Sequence, residues 1–257
     1  MSETSTQHKR PESGFERPSS LAPLKNVAEM MRLVNRLRHR AYHQPGFGVM
    51  HGYSGYGKTY SAVYAQNKTL GPRVEVGDSW TKKTLVRAIL REVGVQNPKG
   101  TVADMTEQLI GRLAAPEHPP LFIDEADKLV DKSMIEIVRE IQEGSQVAVI
   151  LIGEELLPQK LERIERVHNR VLAWATAQPC DIEDTIKLAK AFCPDLNPSM
   201  DLLEHVRRIS DGRARRIVNN LAHMAEHARI TGVTDFSMDN YRGELDSGKS
   251  PSRRAVA

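Results

Sequence analysis

The sequence predicts an α/β protein in which a parallel sheet carries helices on both faces and is followed by a small all-helical domain. Three observations lead there. From about residue 46 to Pro179, short apolar runs alternate with segments of amphipathic helical spacing, the pattern of buried strands joined by crossover helices. A glycine-rich turn, "GYSGYGKT" at 52–59, links the first run to the first helix. After Pro179 the apolar runs stop and only helical spacing remains.

Taken in order, "FGVMHG" reads as the first strand and Lys58 to Asn67 as the helix after it. "RVEVGDS" is the second strand, followed by helices over Thr81 to Val93 and Val102 to Leu113. "PLFIDEAD" with a helix over Lys132 to Gln142, "VAVILIGEE" with a helix over Leu157 to His168, and "RVLAWATAQP" complete the sheet. The second domain has helices over Asp181 to Phe192, Met200 to Ile209 and Ala214 to Ile230. An early helix over 25–41 carries Arg32, Arg36 and Arg40 at i, i+4 spacing, a single basic stripe fit for a second DNA surface or a subunit interface. The expected limits are 23–179 and 180–242, with a disordered polar arm over 1–22 and a flexible basic tail over 243–257.

Bulk properties narrow the function. At 257 residues, 40% hydrophobic and 5% aromatic, the chain can build one large, mostly aliphatic core and a smaller companion. Its longest apolar run, "VAVILIG", is far short of the roughly 20 residues of a spanning helix. No apolar h-region follows the N-terminal charges, and the two cysteines, Cys180 and Cys193, form no metal or disulfide pattern. A soluble, cytoplasmic protein without a membrane partner is expected. The net charge of +3 is mild, but it is unevenly spread: Lys25, Arg32, Arg36, Arg38 and Arg40 crowd the early helix, and Arg207, Arg208, Arg213, Arg215 and Arg216 cluster late.

The chemistry lies first in "GYSGYGKT". Gly52, Gly57, Lys58 and Thr59 match G-x-x-x-x-G-K-[ST], in the required setting between a strand and a helix. Backbone N–H groups from Ser54 to Thr59 would surround phosphate oxygens at the helix N-terminus, with Tyr60 opening that helix. Lys58 would neutralise the β and γ phosphates and the Thr59 hydroxyl would take a place on Mg²⁺. Side chains between the glycines, Tyr53 and Tyr56, project away from a ligand held in this way. In "LFIDEAD", Asp124 ends an apolar strand where a carboxylate can hold Mg²⁺, and Glu125 beside it can polarise an attacking water. Together these form a nucleoside triphosphate site.

The order of these motifs, with "ILIGEE", "VHNRVLA" and "DGRARRIVNN" after them, resembles the P-loop AAA+ ATPases, whose module is a parallel sheet flanked by helices and followed by a helical lid. The resemblance covers about residues 23–242. It implies that Arg170 is the finger reaching a neighbouring subunit's γ-phosphate, with Arg163 and Arg166 as rivals, and that Arg215 is the lid arginine closing over the same phosphates. At the position where the family usually carries a neutral sensor, this sequence has Glu154. A carboxylate there is repelled by phosphate unless compensated, so slow turnover that rises on assembly is expected.

Within that group the minimal architecture is most similar to the transposition ATPases, the Mu B protein and TnsC-like proteins. That likeness implies homo-oligomeric rings or filaments on duplex DNA that mark a target and activate a transposase. The DNA contact would be Lys82 and Lys83 at the start of a helix, with Thr81 and Thr84 adding neutral phosphate contacts. Three other readings stay open: an IstB-like or helicase-loading replication helper, an ExeA-like secretion ATPase, and a nucleotide-locked scaffold that scarcely hydrolyses.

Overall fold

The computed structural model describes residues 22–115 and 118–248. It opens with α1 (Lys25–Arg38), β1 (Phe47–His51), α2 (Lys58–Thr69), β2 (Arg73–Glu75), α3 (Lys82–Glu92) and α4 (Val102–Leu113). The chain continues through β3 (Leu121–Asp124), α5 (Asp127–Asp131), α6 (Ile135–Ser145), β4 (Val149–Gly153), α7 (Leu157–Glu162), α8 (Glu165–His168) and β5 (Val171–Thr176). The lid follows as α9 (Ile182–Phe192), β6 (Asn197–Pro198), α10 (Met200–Ile209), α11 (Ala214–Thr231) and β7 (Asp235–Phe236).

The five main strands are all parallel, in the order β2-β3-β4-β1-β5. β1, β3 and β4 are the most deeply covered, as their unbroken apolar sequences require. On one face α1 and α2 bury Met30, Leu33, Val34, Leu37, Ala62 and Ala65 against Met50, Phe122 and Ile152. α1 lies so close to β1 that a Cβ on Gly48 would meet Leu37 at 2.4 Å. The opposite face is covered by α3 to α8 through a larger aliphatic cluster including Leu85, Ile89, Leu109, Val138 and Leu161. A separate cluster in the lid, with Leu188, Val206, Ile217, Leu221 and Met224, also takes in Ala22, Leu24 and Val27.

Several elements differ from expectation for local reasons. The helix expected over Lys132 to Gln142 begins later, as α6 at Ile135, because Ser133 adopts a left-handed backbone (φ +53°), and a short helix that was not expected, α5, precedes it. The helix expected over Leu157 to His168 breaks at Ile164, whose backbone is non-helical (φ −119°, ψ 77°) and whose side chain packs on the core. β2 has three residues, since the chain leaves the sheet at Val76 to make the tight Gly77–Trp80 turn. The lid contains a short parallel pairing of β6 with β7 among its helices.

At the edges of the domains, Ala22 is buried although the polar arm was expected to run through it. Residues 243–248 of the expected flexible tail are held: Asn220 donates to the Asp246 carbonyl at 2.9 Å, and the Asp246 N–H donates to Asn220 at 2.7 Å. The rest of the arm and of the tail lies outside the described residues.

Candidate nucleotide site

At the C-terminal end of β1 the chain turns through Gly52, Gly55 and Gly57, all with φ between +83° and +147°. A side-chain-bearing residue at Gly57 would be strained, and α2 begins at the next residue, so the loop's amides converge at a helix N-terminus. Lys58 folds back over the loop, its Nζ donating to the Gly52 carbonyl at 2.6 Å and to the Tyr53 carbonyl at 3.0 Å. Burial lowers its affinity for a proton, partly offset by the carboxylates of Glu154, Asp124, Glu155 and Asp127.

β3 ends beside this loop with Asp124, which is almost fully buried. Burial raises its pKa, while the Thr59 hydroxyl, the Glu125 N–H and Arg73 oppose that rise. Arg73 approaches it at 3.4 Å. Glu125 follows in a left-handed conformation (φ +58°), and its carboxylate meets Lys128 at 3.5 Å. Lys128 in turn reaches Asp78 at 3.5 Å, so one ammonium joins Glu125 to the turn that precedes α3. Asp127 accepts from the Glu154 N–H at 2.7 Å and ties the end of β3 to the end of β4. Gly153 is required there, because a Cβ would stand 2.3 Å from the Asp127 carboxylate.

These groups open onto a cavity of about 260 Å³. Ser54, Gly55, Gly57, Lys58, Thr59, Asp124, Glu125 and Glu154 line one end, and the lid adds Arg215. The other end is apolar, formed by Leu24 before α1, Tyr60 on α2, Leu188 and Phe192 on α9, and Val218 on α11, with Asn219 beside them. A polar, amide-rich end joined to an apolar end suits a phosphorylated ligand with a flat base. Asp124 and the Thr59 hydroxyl, already in contact, supply the oxygen donors that Mg²⁺ prefers.

Most site residues expected from the sequence converge here. Tyr53 and Tyr56 do not line the cavity; their rings pack edge to face at 5.8 Å outside the loop. Arg170 is also elsewhere. It precedes β5 at the opposite end of the strands, paired with Glu143 and donating to the Arg166 carbonyl. Lys82 and Lys83 are exposed at the start of α3, at the same end of the sheet as the loop. The hydroxyls of Thr81 and Thr84 are engaged with each other at 3.1 Å, and Thr81 also caps the helix by accepting the Thr84 N–H.

Three residues escaped the sequence reading. Asn26 is buried and donates to the carbonyls of Tyr56 and Gln178, both at 2.7 Å, while its own oxygen accepts the Gln178 N–H at 2.9 Å. It binds the phosphate loop to the hinge of the lid. Arg213 donates to the Ser54 carbonyl and lies over the Tyr56 ring, whereas its neighbour Arg215 reaches the cavity. Phe192 closes the apolar end. The one sequence signal for Asn26 was a polar residue on the inward stripe of an amphipathic helix.

This geometry defines an α/β P-loop nucleotide-binding fold of the AAA+ type, with a lid over the cleft. The comparisons are in keeping with that fold: the sequence model of the family described as "AAA domain" matches residues 39–161, just under half of the chain. No curated protein matches it in sequence. Among solved structures, Orc1 of Aeropyrum pernix, in complex with DNA, is 22% identical with a TM-score of 0.60, over 80% of this chain and 61% of that one. Cdc6p of Pyrobaculum aerophilum is 18% identical with a TM-score of 0.60, over 87% and 66%. The Thermotoga maritima RuvB Holliday junction branch migration motor is 18% identical with a TM-score of 0.59, over 87% and 70%. At these identities the likeness is one of fold, and the chain spans under two thirds of the Orc1 structure's length. Among the described residues no helix is long and apolar enough to cross a membrane.

Proposed function

We propose that the chain binds ATP with Mg²⁺ in this cleft, hydrolyses it, and couples turnover to assembly with copies of itself on duplex DNA. The observation that carries the reading is the convergence of Lys58, Thr59, Asp124, Glu125 and Arg215 on one cavity whose far wall is apolar. The apolar wall takes the base, and the loop amides with Lys58 take the phosphates. Thr59 and Asp124 would hold Mg²⁺, which would supply charge neutralisation at the phosphate oxygens. Glu125 accepts a proton from the attacking water, and its ionised form is required for that step. Arg215 draws the lid toward the phosphates. Glu154 places a further negative charge at the polar end, which keeps turnover by an isolated chain slow. Arg170, directed away from its own cleft, serves the cleft of a neighbouring copy.

Lys82 and Lys83 contact the DNA backbone without reading sequence. The solved Orc1 structure holds DNA, which supports nucleic acid as the macromolecular partner. The biological task that this motif order suits best is target selection and transposase activation in transposition. Phosphate release measured with and without duplex DNA, alongside electron microscopy with an ATP analogue, tests the reading. Hydrolysis stimulated by DNA, with rings or filaments formed only when both ligands are present, is expected. Absence of nucleotide binding would refute it, and pull-down of a replicative helicase instead of a transposase would reassign the task.

A further inference from the structure

The C-terminal end of α1 and the turn after it form a positive surface that the nucleotide site does not use. From Met30 to Val74 the sequence contains no Asp or Glu, whereas 33 acids in 257 residues, evenly spread, would put roughly six in that stretch. The stretch comprises α1 from Met30 onward, β1 and α2, and the two helices pack side by side on one face of the sheet. Both run back toward the N-terminal ends of the strands, so their basic last turns share one end of the molecule.

The structure separates the basic residues of this region by what they do. Lys25 pairs with Asp181 of the lid at 3.2 Å, and Arg32 pairs with Glu29. Arg40 is a strut, donating to the Leu37 carbonyl at 2.9 Å and to the Gln146 carbonyl beyond α6, and so fixing the turn after α1. Gln44 closes the same turn by accepting the Ala41 N–H at 2.9 Å. Arg36 and Arg38 are exposed and, among the described residues, have no hydrogen-bond or ion-pair partner. The fixed turn presents Tyr42, 85% exposed, and His43 beside them.

Cations in a last helical turn also favour the helix dipole, by about 0.3–1 kcal/mol each. That accounts for Arg36 and Arg38 as residue types. It does not account for the missing carboxylates on the neighbouring helix or for a solvent-facing tyrosine on a braced turn. Unpaired guanidinium groups and an exposed ring, beside a helix that carries no carboxylate, suit a phosphodiester backbone.

We propose that Arg36, Arg38, Tyr42 and His43 form a second nucleic-acid backbone surface, separate from Lys82 and Lys83 and at the opposite end of the sheet. It rests on the reading that the chain binds duplex DNA, and it adds a site that reading lacks. Because the two surfaces lie at opposite ends of the strands, a single chain would hold DNA at both, either by bridging two segments or by bending one around its side.

The experiment measures duplex DNA affinity against salt for the wild-type chain, the Arg36→Ala/Arg38→Ala variant and the Lys82→Ala/Lys83→Ala variant, all with ATP analogue. Loss of the α1 pair should weaken DNA binding about tenfold near physiological salt and flatten the slope of log K against log salt by up to about two. The Arg36→Lys/Arg38→Lys variant should retain most of the slope, and nucleotide affinity should be unchanged in both α1 variants. An unaltered slope in the alanine variant, with the lysine pair carrying the whole dependence, overturns the second surface while leaving the functional reading intact. So does a loss confined to polyglutamate or to anionic vesicles. Failure of the wild-type chain to bind duplex DNA under any condition overturns both.

Discussion

The two ends of the cleft were built in different ways. Most of its polar end comes from two short stretches, residues 52–59 and 124–125, each of which places its functional groups by local backbone geometry, with Glu154 after β4 and Arg215 of the lid added to them. Its apolar end comes from single residues on α2, α9, α11 and the segment before α1, far apart in the chain. Chemistry on phosphate requires atoms at fixed positions, which a tight loop supplies. A flat apolar base requires only area, which any set of well-packed side chains can supply.

Substitutions can break that contrast. Glu125→Gln keeps shape and size but removes the proton acceptor, so turnover should fall by about 10²–10⁴-fold while ATP still binds, as read by phosphate release and by equilibrium titration. Equal losses in binding and turnover would show that Glu125 shapes the cleft instead of acting on water. Asn26→Ala should cost about 1–3 kcal/mol of stability, because it strands the carbonyls of Tyr56 and Gln178 at the junction of loop and lid. Thermal unfolding with and without nucleotide checks it, and an unchanged midpoint would mean water replaces the amide.

At the apolar end, Phe192→Ala should weaken nucleotide binding by roughly tenfold through lost area, with kcat little altered. A fall in kcat alone would move Phe192 into lid closure. The smallest effect is expected for Lys128→Met, which frees Glu125 from its ion pair with a half-exposed partner. Exposed pairs are worth roughly 0–1 kcal/mol, so a change in kcat of about fivefold or less, at constant nucleotide affinity, is the expected outcome. A much larger change would show that the Asp78–Lys128–Glu125 link governs the reaction.

The same contrast explains what could be read from the residues alone. The phosphate loop, Asp124, Glu125 and the central strands were legible because their spacing is local, and Arg215 because its motif is local. Phe192, Leu188 and Val218 look like ordinary core positions of helices, and only the packing of the lid beside the phosphate loop places them on the cavity. The break at Ser133 was hidden because a left-handed serine leaves no compositional mark, unlike glycine. The division of labour among the early arginines was equally hidden, since pairing with Glu29 or with the Gln146 carbonyl depends on which way each side chain leaves its helix.

The left-handed backbone at Glu125 has one more implication. A residue other than glycine holds such a conformation at an expense of about 1–2 kcal/mol. A glycine at that position would sit more comfortably in the fold and would do no chemistry. Searches for hardened variants that score only survival of heating would therefore drift toward losing this glutamate. A robust but silent descendant of the chain is the outcome such a selection should be guarded against.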